Sequence, residues 1–268
     1  MRLGRIFAGL AACIAVCVGL APQEKTIRVA AAADLKFAMA ELSGKFEEKN
    51  GTKVEVTYGS SGNFSSQMQN GAPFDVFFSA DIEYPRKLAA AGIADSDTIY
   101  EYAIGRIVIW TPPDIKVDVA RDGWKALLDA RVQKIAIANP EHAPYGKAAV
   151  AAMQRAGIYE QVKTKLVYGE NISQAAQFVQ SGSAQGGIIA LSLAASPSMK
   201  DGKYWVIPAE MHAPIEQAAI VLRGARNRSG AAAFLEFAKS AAGREILARC
   251  GFQPPDGAAD SRKKEEKK

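Results

Sequence analysis

Four segments of this sequence share one design: "AAAD" (31–34), "YGSSGN" (58–63), "NPEHAPYG" (139–146) and "YGENIS" (168–173). Each follows an apolar, strand-like run, is built from small or hydroxyl-bearing residues, and leads into a helical pattern. Such a loop offers hydroxyl groups together with the first N–H groups of a helix. Those N–H groups have no intrahelical acceptor and sit at the positive end of the helix dipole. Several of them converging would hold an anion without any cationic side chain. "YGSSGN" contains no cation, although the chain carries 33 Lys and Arg. One such loop is ordinary capping by Ser, Asp or Asn. Four at corresponding strand ends leave capping and an anion site evenly weighed.

Enzyme motifs are missing where they would be expected. The chain has no G-x-x-x-x-G-K-[ST] loop and no G-x-G-x-x-G. Ser61 has Gly59 two residues before it but Asn63 two after, so it does not form the G-x-S-x-G nucleophile turn. The two histidines, His142 and His212, carry no supporting motif and read as surface or core residues. No Cys/His or Asp/Glu cluster has metal-ligand spacing.

The elements that must position these loops follow from periodicity. "TIRVAAA" (26–32), "TKVEVTY" (52–58) and "FDVFFSA" (74–80) read as strands, as do "GRIVIWTP" (105–112), "KIAIANP" (134–140), "TKLVYG" (164–169), "GGIIAL" (186–191), "YWVIPA" (204–209) and "AAIVLRG" (218–224). Helical patterns separate most of them. After Asp34, Leu35, Met39, Leu42 and Phe46 recur at helical spacing, with Asp34 as the expected N-cap and Gly51 as the stop. One long helix is expected from about 229 to 249. Strands alternating with helices of this length predict an α/β fold with largely parallel sheets, and ligands gather at the carboxyl ends of such strands.

The formal charge of +5 comes partly from Arg2 and Arg5 and from the mixed tail "SRKKEEKK", with no basic stripe between, which argues against a nucleic-acid partner. "MRLGRIFAGLAACIAVCVGLAPQEKT" has a positive start and an apolar run from Ile6 to Ala21, the pattern of an export signal. Ordinary export into a periplasm is favoured over lipidation at "LAAC" (10–13). Cys13 and Cys17 would leave with that leader, so Cys250 would have no intramolecular partner.

"AAAADLKFAM", "YGSSGN", "GAPFDVFFSAD", "ANPEHAPYGKAA" and "GENISQAAQFVQSG" resemble the periplasmic molybdate-binding proteins of bacterial ABC importers, of the type II periplasmic binding protein class. The resemblance runs from about Ile27 to Phe252 in the family's order and spacing. It implies a two-lobed α/β fold, each lobe a mostly parallel sheet flanked by helices, with two crossovers at the hinge. The expected division is a signal peptide at 1–22, a discontinuous first lobe at 25–104 and 220–253, a second lobe at 105–219, and a disordered charged tail at 256–268. Hinges are expected near Ala103–Arg106 and Gln217–Ile220.

The resemblance also implies the function: capture of a tetrahedral oxyanion, molybdate and also tungstate, and delivery to an ABC permease in the inner membrane. It implies a monomer with no cofactor and no enzymatic activity. Carried over by position, the ligand contacts are Asp34, Ser61 through hydroxyl and N–H, Tyr145, Ile172 through its N–H, and Ala190. Those of Asp34, Ser61, Tyr145 and Ile172 would be to molybdate oxygens, not to a bare metal cation. Relatives commonly have Ser or Thr where Asp34 stands and a ligand-contacting Tyr where Ala190 stands. A carboxylate beside a buried dianion repels it. Asp34 is therefore expected to turn back and cap the N–H of Phe37, the other arrangement being a protonated donor. Competing readings are a binding protein for another oxyanion such as sulfate, and an exported serine hydrolase using Ser61 and a histidine.

Overall fold

A computed structural model describes residues 26–255; the proposed leader and the charged tail lie outside them. The strands are β1 (Thr26–Ala32), β2 (Lys53–Gly59), β3 (Val76–Ser79), β4 (Tyr100–Gly105), β5 (Ile107–Thr111), β6 (Ile135–Ala138), β7 (Leu166–Gly169), β8 (Gly186–Ala190), β9 (Lys203–Val206) and β10 (Ile215–Val221). They form two five-stranded sheets, ordered β2-β1-β3-β10-β4 and β7-β6-β8-β5-β9. β2, β1 and β3 are parallel, as are β7, β6 and β8. β10 is antiparallel to β3 and β4, and β5 to β8 and β9. The inner parallel strands β1, β3, β6 and β8 are nearly continuous apolar runs because both of their faces are covered, whereas the edge strands β2 and β7 keep exposed residues. Ile27, Val29 and Ala31 pack on one side of β1 with Leu42, Phe46 and Phe234, while Ala30 faces Phe64, Phe77 and Leu88 on the other.

Register brings the loops together. β1 and β2 pair from Thr26↔Lys53 to Ala32↔Gly59, so the chain leaves both strands at the same level. β6 and β7 pair from Ile135↔Leu166 to Ala138↔Gly169, with the same effect. "AAAD" and "YGSSGN" therefore sit side by side on one lobe, and "NPEHAPYG" and "YGENIS" side by side on the other.

The chain passes between the sheets twice. β4 continues into β5 with only Arg106 between them, inside the expected first hinge. The return falls between β9 and β10, before Ile215, which pairs with Gly105. Gln217–Ile220 is thus not the crossing, and 215–219 belongs with the first sheet instead of the second lobe. β10 is committed to β3 and β4 by backbone hydrogen bonds and cannot act as the connector. β4 itself carries mixed Tyr, Glu and Gly, and the sequence reading assigned it no strand.

Helix ends follow local chemistry. Gly51, at φ 64°, closes the helix Lys36–Asn50 through its N–H to the Glu47 carbonyl. The expected single helix at 229–249 is two, Arg228–Lys239 and Ala241–Arg249. Ser240 breaks it by adopting an extended backbone and using its Oγ to accept from the N–H of Gly243.

Candidate functional site

A narrow cavity of about 10 Å3 lies between the lobes where the four loops meet. That is room for about one water, so a larger ligand enters only if the lobes part. Asp34, Ser61, Tyr145 and Ile172 all line it. Ala190 does not; it is buried at the end of β8 beside Ile107. None of the described residues lining the cavity is Lys, Arg or His.

Ser61 opens the helix Ser61–Gln69, and Ile172 opens the helix Ile172–Gln180. Both N–H groups therefore stand in a first helical turn, where no intrahelical acceptor exists. Their neighbours are accounted for. The Gly62 N–H goes to the His142 carbonyl at 3.0 Å, and those of Ser173 and Gln174 go to the Asn171 side chain. The Ser61 Oγ accepts from the Ala80 N–H at 2.9 Å, which leaves its own proton to donate.

Tyr145 and Asp34 are arranged differently from expectation. The Tyr145 hydroxyl donates to Asp34 Oδ2 at 2.8 Å. Gln217 Nε2 donates to the same Oδ2 and to the Tyr145 oxygen, each at 2.8 Å. The Gln217 amide is oriented by the Tyr102 hydroxyl, which lies 2.7 Å from Oε1. Asp34 does not cap the N–H of Phe37. It lies inside a 3-10 turn, Ala33–Leu35, and the helix begins only at Lys36 with no side-chain cap. Placed one turn early, its carboxyl points toward Tyr145 across the cleft. Burial is the main influence on this carboxyl. It raises the pKa from 3.8 to about 6, against the opposing hydrogen bonds from Gln217 and Tyr145 and the smaller effect of the Asp34 and Leu35 backbone N–H groups. Burial also holds the Tyr102 and Tyr145 hydroxyls neutral, well above their usual value of 10.0.

Further contacts bridge the lobes. Ser60 Oγ lies 2.8 Å from His142 Nδ1, and Asn63 Nδ2 donates to Glu170 Oε1 at 2.5 Å. The Ser192 hydroxyl donates to the Asp34 carbonyl at 2.9 Å. Two glycines permit the approach: a Cβ on Gly62 would stand 2.6 Å from the His142 carbonyl oxygen, and one on Gly105 would overlap the Tyr145 hydroxyl. Sequence reasoning missed Gln217, Tyr102 and Ser192, since single polar residues in apolar strands or helices carry no motif. It also read His142 as an ordinary histidine. Its hydroxyl partner is Ser60, whereas Ser61 is engaged by a backbone N–H, so the proposed Ser61–His pair does not form.

The family of bacterial extracellular solute-binding proteins matches residues 27–253. The molybdate-binding protein ModA of Azotobacter vinelandii is 36% identical over 255 residues, which is 93% of this chain and 97% of that protein. ModA of Rhodobacter capsulatus is 36% identical over 244 residues, 90% of this chain and 94% of its own. The solved periplasmic molybdate-binding protein of A. vinelandii superposes with a TM-score of 0.80 at 30% identity, covering 86% of this chain and all of that one. The chain therefore belongs to the bacterial extracellular solute-binding protein family, and its relatives there include molybdate-binding proteins.

Proposed function

We propose that this protein captures a tetrahedral oxyanion, molybdate and also tungstate, in the interlobe cavity and hands it to an ABC permease. The observation that carries the reading is a narrow cavity between two lobes, bordered by helix starts, serine hydroxyls and the Asp34 carboxyl and, among the described residues, by no cation. Burying a dianion is expensive unless donors surround it. The N–H groups of Ser61 and Ile172 and the Ser61 hydroxyl supply such donors, and hydrogen bonds to a charged acceptor are the stronger kind. Tyr145 acts through Asp34 in the closed form, and Ala190 stands behind the site. Relatives named as molybdate-binding proteins support a binding role rather than catalysis. Capture proceeds by hinge closure about Arg106 and the segment before Ile215, with His142, Glu170 and Tyr145 meeting the first lobe as the cleft shuts. Export to the periplasm, action as a monomer and the absence of a nucleic-acid partner belong to the same proposal.

Thermal unfolding with molybdate, tungstate, sulfate and phosphate tests it. A ligand at 100 times its Kd adds about 2.7 kcal/mol, a rise of roughly 5–11 °C for a protein of this size. Molybdate and tungstate should raise the midpoint and phosphate should not. A rise with sulfate alone would reassign the oxyanion, and no rise with any of the four would refute the reading.

A further inference from the structure

Asp34 sets a problem that a donor-lined anion site does not solve. Its side chain is buried at 1% exposure and lines the cavity. Oδ2 accepts two hydrogen bonds, from Tyr145 and Gln217, while Oδ1 is buried with no well-formed hydrogen bond, the nearby Asp34 and Leu35 backbone N–H groups reaching the carboxyl only weakly. Buried carboxylate oxygens are normally paired, and each exception calls for a reason. Among the described residues, no Lys, Arg or His lines the cavity to compensate the charge. The titratable groups that face the carboxyl are Tyr145 from the helix Pro144–Arg155 and Tyr102 from β4, both neutral. β10 contributes the uncharged Gln217. The helix Ile172–Gln180 and the turn Leu191–Ala194 contain no ionisable residue, and Lys36, which opens the next helix, is exposed. A carboxylate left ionised would place a third negative charge against a dianion bound in the same narrow cleft.

We propose that Asp34 binds the oxyanion as a neutral carboxylic acid, donating its Oδ1–H to a ligand oxygen. Each ligand captured near neutral pH then carries one proton from solvent into the cleft. The inference rests on the oxyanion reading above and adds a proton linkage to it. The network fixes which oxygen carries the proton. Tyr145 and Gln217 occupy Oδ2 as donors, so only Oδ1 is left to be protonated, and protonation turns the orphaned acceptor into the donor the ligand needs. The Tyr102 hydroxyl, 2.7 Å from Gln217 Oε1 and 3.1 Å from the Ser79 carbonyl, favours the amide orientation that keeps Nε2 on Asp34.

Calorimetric titration of the full mature chain with molybdate, in buffers of different ionisation enthalpy, reads the proton directly. With the carboxyl's pKa at about 6 in the closed form, uptake should approach one proton per ligand at pH 7.5–8. It should fade below pH 6, and affinity should fall about tenfold from pH 7 to pH 8. Asp34→Asn supplies the neutral isostere. Its amide oxygen accepts from Tyr145 and Gln217, its N–H replaces the acid proton, and binding should become independent of pH with no uptake. Wild-type binding with no proton uptake and flat affinity from pH 6 to 8 would overturn the inference while leaving oxyanion binding standing. The wild-type buffer series decides this even if the variant fails to fold. No heat with molybdate, tungstate or sulfate at any pH from 5.5 to 8 would instead fell the oxyanion reading, and the proton linkage with it.

Discussion

Replacing Asp34 by Asn should stabilise the ligand-free protein, and only above the pH where the carboxyl ionises. In the folded chain the pKa rises from 3.8 to about 6, because burial strips water from the charged form faster than Tyr145 and Gln217 replace it. At about 1.36 kcal/mol per pK unit, the ionised carboxylate then costs about 3 kcal/mol of folding free energy. A raised folded value means that the acid's contribution is complete below about pH 3.8 and is lost as pH climbs through about 6. The Asn variant has nothing to ionise there and keeps both hydrogen bonds through its amide oxygen. The two proteins should therefore unfold together near pH 4 and separate by pH 7.5, the variant melting up to roughly 6–12 °C higher. That is a ceiling, because opening of the cleft hydrates the carboxylate. Scanning calorimetry at pH 4, 6 and 7.5 reads the difference. A variant that melts at or below wild type at pH 7.5, with a gap no larger than at pH 4, would refute the reasoning.

Other perturbations probe the same cleft. Tyr145→Phe removes a donor to Asp34 Oδ2, so the pH above which affinity declines should move upward, while affinity at pH 6 weakens by about 0.5–1.5 kcal/mol; an unmoved pH profile in the binding titrations would detach the hydroxyl from the carboxyl. Gly105→Ala places a methyl on the Tyr145 hydroxyl and near the Gln217 amide, and should cost about 1–3 kcal/mol in chemical denaturation, whereas an alanine that stabilises would show that these groups do not meet there. His142→Ala deletes the contact to Ser60 but keeps the backbone bond from Gly62; ligand affinity should fall about fivefold, or about 1 kcal/mol, with the unliganded melting point nearly unchanged. Ser240→Ala strips the cap of the helix Ala241–Arg249 and should lower stability by about 1 kcal/mol without touching binding.

What the sequence revealed and what it hid divide along physical lines. The strands of both sheets carry dense β-branched and apolar runs such as "KIAIA" and "GGIIA", and those runs mark β6 and β8 without ambiguity. The four loops were equally plain, because Ser, Gly and Asn punctuate strand-to-helix turns, and the structure brings them to one cavity. The sequence pattern did not show where the chain returns from the second sheet. Glu216 and Gln217 interrupt the apolar pattern, so the run starts at Ala218 in the sequence, and only the pairing with Gly105 shows that β10 begins at Ile215. Ser240 falls inside the single helix expected at 229–249, since serine is tolerated in helices and its role as a cap depends on backbone angles. The position of Asp34 is hidden for a similar reason. An Asp before a helical run is the commonest N-cap signal, but a short 3-10 turn moved the helix start to Lys36. Its partners Tyr145 and Gln217 are 111 and 183 residues away. A network of that sequence separation leaves no local periodicity.

The central claim is that the cavity between the sheets binds a tetrahedral oxyanion through helix-start N–H groups and the Ser61 hydroxyl. Calorimetric titration of wild-type protein and Ser61→Ala with molybdate at pH 6 tests it most directly. The wild type should bind one molybdate per chain, and the alanine variant should bind about 10- to 150-fold more weakly, the equivalent of about 1.5–3 kcal/mol for a hydrogen bond to a charged acceptor. Saturable binding of equal strength in the two proteins, or no binding in the wild type, would contradict the account.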